Sequence, residues 1–330
     1  MQSCLQDKYS SVRGLPIPMS SPLITVVGSF AVGMTLRTDR MPIFGETLLA
    51  SDFDLGPGGK GSNQAVAIAR LGVSSQFVGL LGKDTLGDIA RQLYTKEGVK
   101  TDCLVTTEAA ATGVGFIIVN PEGKNGILLD MGANQLMDAA FVDKAEALIA
   151  RSTLVLSVLE IPVPAAARAM ELGRKHGVRT VLNPAPAARL PRDLFSSIDL
   201  LTPNETELRI LLGLAPNDPT PSEDLASELQ REYGTIVIVT RGEKGCLLLD
   251  GKTRQEFPAL AVPVVDTTGA GDAFTAALAV ALAEGKDLPT AIRFATCNGA
   301  LACQRLGVIP SLGHRSEVDQ LFQKHFSVSP

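Results

Sequence analysis

The sequence predicts an α/β protein, a three-layer α/β/α domain with a mainly parallel central sheet and a small β-sheet lid. Three observations predict it. Short runs rich in Val, Ile and Leu recur along the chain, at Leu23–Val27, Leu154–Val158, Thr180–Asn183, Leu200–Thr202 and Ile236–Thr240. They are apolar at successive positions, as suits strands covered on both faces. Amphipathic stretches of helical length separate them: Ser62–Leu71, Leu86–Glu97, Asp138–Arg151, Pro164–His176, Asn204–Leu212 and Glu223–Tyr233. Such alternation builds right-handed βαβ units with helices on both faces of one sheet. Two stretches, 34–58 and 112–131, depart from this rhythm with polar–apolar alternation and turn residues. Asn120-Pro121-Glu122-Gly123 reads as a turn joining Gly115–Val119 to Ile127–Met131. Both stretches are expected to form a small antiparallel sheet that projects from the main one. The last third is helical, at Ala270–Ala283, Leu288–Cys303 and Ser316–Lys324.

Composition removes several function classes. The 330 residues carry a formal net charge of −5, whereas nucleic-acid platforms show a basic domain or stripe. A hydrophobic content of 45% supplies a large core and excludes a disordered chain. The five cysteines (Cys4, Cys103, Cys246, Cys297, Cys303) lack C-x-x-C spacing, which argues against a disulfide framework or zinc knuckle. The three histidines argue against a His-rich metal centre. Nothing reads as a membrane span or signal peptide. The expectation is a cytoplasmic protein with a loose N-terminal extension over 1–22 and one domain over 23–330.

Four segments carry chemistry. Asp266-Thr267-Thr268-Gly269-Ala270-Gly271-Asp272 opens a long helix. Glycines let backbone amides approach a ligand, and a helix N-terminus presents free N–H donors to an anion. The amides of Gly269, Ala270 and Gly271 would hold a transferring phosphoryl group while Asp272 takes a proton from an attacking hydroxyl. The competing reading makes Asp272 a helix cap. Gly56-Pro57-Gly58-Gly59-Lys60-Gly61-Ser62-Asn63 precedes another helix and fits neither a Walker A loop nor a dinucleotide fingerprint. Its amides, with Lys60 and Asn63, suit a polyol. Thr202-Pro203-Asn204-Glu205-Thr206-Glu207 has capping-box spacing. Alternatively, Asn204 and Glu207 organise water and Mg²⁺ beside phosphates. Thr240-Arg241-Gly242-Glu243-Lys244-Gly245 is a polar turn, beside a nucleotide or simply within a hairpin.

In this order the segments resemble the ribokinase-like (PfkB) family of carbohydrate kinases, across residues 23–325. Gly58–Asn63 looks like the family's first signature and Asp266–Phe274 like its second. Gly132-Ala133-Asn134, Asn183-Pro184-Ala185-Pro186-Ala187 and Thr202–Glu207 resemble its ribokinase branch. The resemblance implies ATP-dependent phosphorylation of a sugar hydroxymethyl group with Mg²⁺, Asp272 being the base. It implies that Gly58, Gly59, Lys60, Asn63 and Glu160 hold the sugar. Asn204, Glu207, Thr240, Gly242, Gly245 and Thr296 would serve the nucleotide. Asp266 and Thr268, with carbonyls of Cys303, Leu306 and Val308, would match a K⁺ activator site. A homodimer through the lid is also implied.

One departure stands out. Where ribokinases place a sugar-gripping Asn and Asp, this chain has Ala31 and Gly33. Two polar contacts that discriminate hydroxyls are gone. The acceptor is thus open: ribose, a related or fructose-type sugar, or a nucleoside. A sugar-binding sensor without catalysis is the rival outside enzymes. The Gly28–Gly33 spacing disfavours an NAD-dependent enzyme.

Overall fold

The structure, a computed structural model, describes residues 21–122, 125–251 and 253–326, with backbone alone at Asn125. All but the last two residues of the expected 1–22 extension, and Gly123 of the expected turn, lie outside these. In chain order the elements are β1 (Leu23–Val27), β2 (Ala31–Arg37), β3 (Ser51–Gly58), α1 (Lys60–Arg70), β4 (Ser74–Gly82), α2 (Thr85–Glu97), β5 (Lys100–Thr107), β6 (Gly113–Val119) and β7 (Asn125–Asp130). Next come α3 (Ala139–Asp143), α4 (Glu146–Ala150), β8 (Leu154–Val158), α5 (Val163–Lys175), β9 (Arg179–Asn183), β10 (Leu200–Leu201), α6 (Glu205–Leu211), α7 (Ser222–Tyr233) and β11 (Ile236–Thr240). The chain continues through β12 (Cys246–Asp250), β13 (Thr253–Phe257), α8 (Ala270–Ala283), α9 (Leu288–Ala302), α10 (Val308–Ser311) and α11 (Arg315–Phe326).

Among the described residues, nine strands form the main sheet in the order β13-β12-β11-β10-β9-β8-β1-β4-β5. It is parallel from β11 to β5 and antiparallel at β11–β12–β13. The continuous apolar strands have a simple cause: alternate residues enter separate cores. Leu154 and Leu156 join the core beneath α1, α8 and α9, while Val155 faces the opposite core with α5 and α7. Helix α8 is buried from Asp272 to Ala283. Its Ala-rich sequence lets α9 and α1 pack close against it.

Two expectations change. The single helix over 138–151 is two short helices, α3 and α4, separated at Lys144–Ala145. The small sheet, ordered β3-β2-β6-β7, is mixed: β2 and β6 run parallel, and only its outer pairs are antiparallel. A long excursion through β4, α2 and β5 separates β2 from β6, so they return side by side in one direction. Met34 aligns with Leu55 and Phe116, and Phe116 with Leu128. This face exposes Leu55, Phe116 and Leu128. On the alternate face the rows nearest the main sheet are small, Gly58–Ala31–Gly113 and then Gly56–Gly33–Gly115, the latter ending in Leu129. Among the described residues no helix is long and apolar enough to cross a membrane. Cys103, Cys246, Cys297 and Cys303 are free thiols.

Candidate active site

Two helix N-termini meet across the chain. Asp272 lies in the first turn of α8 and is 5% exposed. Its Oδ2 accepts from Asn63 Nδ2 at 2.8 Å and its Oδ1 from Gln64 Nε2 at 3.0 Å, both from the first turns of α1. The carboxylate therefore does not cap its own helix: Gly269 is the N-cap and no side chain caps it. Gly271 and Asp272 lie too early in α8 to find an i−4 carbonyl within it, so their amides remain as donors. The amide of Ala270 donates to the Thr267 carbonyl at 3.2 Å. Of the three amides expected to form an anion hole, Ala270's is thus engaged within the turn.

The glycines divide by purpose. Gly269 has φ 83°, and a Cβ there would stand 2.7 Å from Val308 Cγ1. Gly59 has φ 88°, and a Cβ would meet Phe30 Cα at 2.8 Å. These residues allow one stretch of protein to approach another. Gly271 differs: a Cβ there would meet nothing within 4 Å, so open space lies above it.

Lys60, Glu160 and Ser29 form the opposite wall. Glu160 Oε2 accepts from the Lys60 backbone N–H at 2.7 Å and from Ser29 Oγ at 2.6 Å. Burial pushes the Glu160 carboxyl above the usual range, against the Lys60 charge and the Ser29 and Lys60 donors. The Asp272 charge, followed by Glu160 and Glu207, raises the Lys60 ammonium despite its burial. Asn63 is buried, and its Oδ1 has no partner. An enclosed amide oxygen beside a carboxylate and an ammonium is a ready acceptor for a ligand hydroxyl. Gly58 ends β3 one residue before the N-cap of α1.

The capping box at α6 is formed in full. Asn204 Oδ1 accepts from the Glu207 amide at 2.8 Å and Glu207 Oε2 from the Asn204 amide at 2.7 Å. Burial raises the Glu207 carboxyl, opposed by the Asn204 amide and Lys60. Its second oxygen takes no part in the cap, and the carboxyl feels the charges of both Lys60 and Asp272. Asn204 also bridges to Thr240. The 240–245 turn is a β-hairpin turn between β11 and β12, and a Cβ on Gly245 would strike the Phe257 carbonyl at 2.0 Å. Thr296, on α9, gives its hydroxyl to Ile292 and lines a cavity of about 380 Å³ with Phe257, Pro258, Arg293, His325 and Phe326. His325 reaches this wall because α11 folds back onto α9.

The loop before α8 meets the loop after α9. Asp266 Oδ1 accepts from the Thr268 amide and hydroxyl, and Oδ2 from the Gly307 amide at 3.1 Å. Burial pushes Asp266 up, but these donors outweigh it and hold the carboxyl below its usual value. The Cys303 carbonyl accepts from Val265 and Asp266. Val308 packs under Gly269, while Leu306 is exposed. Asp266, Thr268, Cys303, Leu306 and Val308 are therefore drawn together, with oxygen donors only. Oxygen donors suit a hard cation, and here the Asp266 carboxylate and the Cys303 carbonyl already accept bonds within the protein. Glu207, one carboxylate, fits Mg²⁺ carried mainly by phosphates and water. Among the described residues no cluster of three or more His, Cys, Asp or Glu side chains offers a tighter metal site.

Gln64, Asn183 and Ser29 are site members that the sequence alone did not single out for a role. Gln64 directly follows the Gly58–Asn63 segment and Asn183 opens the Asn-Pro-Ala-Pro-Ala segment, which was the available signal for these two.

Comparison with known proteins matches the family described as pfkB family carbohydrate kinase over residues 21–315. Ribokinase of Haemophilus influenzae is 35% identical over 294 residues, 89% of this chain and 96% of its own length. Ribokinase of Bacillus subtilis is 37% identical over 298 residues, 90% of this chain and 98% of its own. The structure of Arabidopsis thaliana ribokinase complexed with ribose and ATP is similar with a TM-score of 0.85 and 33% identity, covering 92% of this chain and 99% of that one.

Proposed function

The chain belongs to the pfkB family of carbohydrate kinases and is an ATP-dependent carbohydrate kinase, and from that premise we propose how it works and on what. The acceptor is a small neutral sugar, ribose or a relative, and its hydroxymethyl group receives the ATP γ-phosphate. The observation that carries this reading is Asp272, buried in the first turn of α8 with both oxygens held and an ammonium and a vacant amide oxygen beside it.

Asp272 takes the hydroxyl proton as the alkoxide oxygen bonds to phosphorus and the bond to the β-phosphate oxygen breaks. The free amides at Gly271 and Asp272 lie where charge grows on the phosphoryl oxygens, and the open space above Gly271 admits them. Gly58, Gly59, Lys60, Asn63 and Glu160 hold the sugar. Asn204 and Glu207 stand near the phosphates, where Mg²⁺ would neutralise charge. Thr240, Gly242, Gly245 and Thr296 line the nucleotide. Asp266, Thr268, Cys303, Leu306 and Val308 would hold K⁺, which would stiffen the turn leading into Gly269.

Charge supports a neutral acceptor. Lys60 is faced by Asp272, Glu160 and Glu207, so an acidic or phosphorylated sugar would meet net repulsion. Ala31 and Gly33, in rows with Gly58, Gly113, Gly56 and Gly115, offer nothing beyond a methyl. The acceptor is therefore gripped from the α1 side, and ribose binds with fewer polar contacts than an Asn and Asp would provide. The apolar face with Leu55, Phe116 and Leu128 supports a homodimer through the lid. We place the enzyme in the cytoplasm, where ATP and free thiols coexist.

The test is ADP release with Mg²⁺ and K⁺ over neutral pentoses, hexoses, polyols, nucleosides and sugar phosphates. Selective turnover of a neutral sugar supports the proposal. Turnover of a nucleoside or sugar phosphate overturns the acceptor class. ATP binding without turnover of any acceptor favours the sensor.

A further inference from the structure

We propose that Gln64 is a positioning residue for Asp272, held by Asn183 through a chain of buried amides. The inference rests on reading Asp272 as the base and adds the device that aims it. The Asn183 side chain donates through Nδ2 to the Thr202 carbonyl at 3.0 Å. Its Oδ1 accepts from Gln64 Nε2 at 3.0 Å, and the same nitrogen donates to Asp272 Oδ1 at 3.0 Å. Gln64 is fully buried, and Asn183 and Thr202 nearly so, at 6% and 2% exposed.

The chemistry allows one orientation. Turning the Asn183 amide would set its N–H groups against Gln64's and its oxygen against the Thr202 carbonyl. Turning Gln64 would set its Oε1 against two oxygen acceptors, Asn183 Oδ1 and the Asp272 carboxylate. Both protons of Gln64 Nε2 are used, while Oε1 is left without a partner. Leaving a buried oxygen unpaired is unfavourable, and the arrangement tolerates it to keep both donors in place. Asn63 is tied less tightly, since its Nδ2 serves Asp272 alone, with no second acceptor, and its Oδ1 is vacant. The two neighbours on α1 thus divide the work: Asn63 offers its vacant Oδ1 to a sugar hydroxyl, and Gln64 keeps the carboxylate aimed. The anchor runs from the end of β9, through α1, to α8. Three elements of the main domain therefore hold the carboxylate independently of the lid.

The test is a double-mutant cycle of Gln64→Met with Asp272→Asn. Gln64→Met keeps the length of the side chain and removes both donors. In the otherwise native protein it should lower kcat about 10- to 100-fold, as a misaimed group does, with KM for ATP and sugar within about threefold. In the Asp272→Asn background it should change kcat by less than about twofold, because its effect passes through the carboxylate. If Gln64→Met does not fold, Asn183→Ser carries the same test, with a smaller loss of kcat that also vanishes beside Asp272→Asn. Equal losses in both backgrounds, a rise in KM in place of a fall in kcat, or no effect would overturn the proposal. An Asp272→Asn enzyme as active as the parent would instead overturn the base assignment, which separates the two failures.

Discussion

Replacing Asp272 by Asn probes the proposed chemistry with almost no change in shape. The carboxylate now accepts two amide bonds, from Asn63 at 2.8 Å and Gln64 at 3.0 Å. An Asn at 272 presents one oxygen and one NH2 group, so it can keep only one of these donors as it stands. Gln64 cannot turn, being fixed by Asn183, so the new oxygen faces Gln64 and the new NH2 faces Asn63. Asn63 can turn and offer its vacant Oδ1. Both bonds survive, and the lost charge relieves repulsion with Glu160 and Glu207 while it forfeits the attraction that raises Lys60, so the electrostatic changes oppose one another. Stability should therefore change little, while the proton acceptor is gone. Loss of a general base lowers kcat by about 10²–10⁴, or roughly 3–5 kcal/mol at 1.36 per tenfold. ADP release in a coupled assay reports kcat, and calorimetry reports nucleotide binding, which should persist because the amides of α8 are untouched. A kcat within about threefold of the parent would refute the reasoning. So would a kcat loss matched by lost nucleotide binding.

Other perturbations test other parts. Glu160→Gln keeps an oxygen for Ser29 and the Lys60 amide but withdraws the charge; KM for the sugar should rise about 10- to 100-fold, as for a lost bond to a charged group, with KM for ATP unchanged. An unaltered sugar KM would remove Glu160 from the sugar site. Arg70 holds Glu97 by two bonds and the carbonyls of Ile309 and Leu312 by two more. The Arg70 guanidinium keeps Glu97 below its ordinary 4.5, so its stabilisation is present above that pH and is lost as pH falls through the lower folded value. Glu97→Gln should cost about 1–2 kcal/mol at pH 7, with water at the edge of the pair keeping the figure modest. The gap in Tm should close in melts taken progressively below pH 4.5, and a constant gap would count against the ion pair. Phe116→Glu with Leu128→Glu places charge on the exposed lid face and should halve the mass seen by sedimentation velocity; an unchanged mass would rule out pairing through that face.

Local rules made much of this molecule legible before its structure. β1, β8, β11 and α8 lie where unbroken apolar runs and helical patterning put them, because both signals arise within a few residues. The capping box at Asn204 and Glu207 follows from side chains three residues apart. What escaped depends on distant partners. β4 is apolar and reads equally as a strand or a buried segment, and β12 and β13 show as a hairpin only once β11 is there to pair with. The parallel pairing of β2 with β6 needs the whole excursion between them.

The site divides along the same line. Asp272, Lys60 and Asn63 could be named from sequence because charge, amide chemistry and a helix start are properties of residues and their neighbours. Glycine's purpose could not. The missing side chains at Gly59 and Gly269 make room for Phe30 and Val308, whereas at Gly271 they leave open space, and the distinction depends on what lies across the gap. The Asn183–Gln64–Asp272 chain likewise joins residues 119 and 208 positions apart. Sequence determined which groups are able to exchange a proton or bind a charge, since chemical identity is local. Tertiary structure decided which of them meet and in which orientation, since a buried hydrogen bond forms only where packing brings both partners out of water.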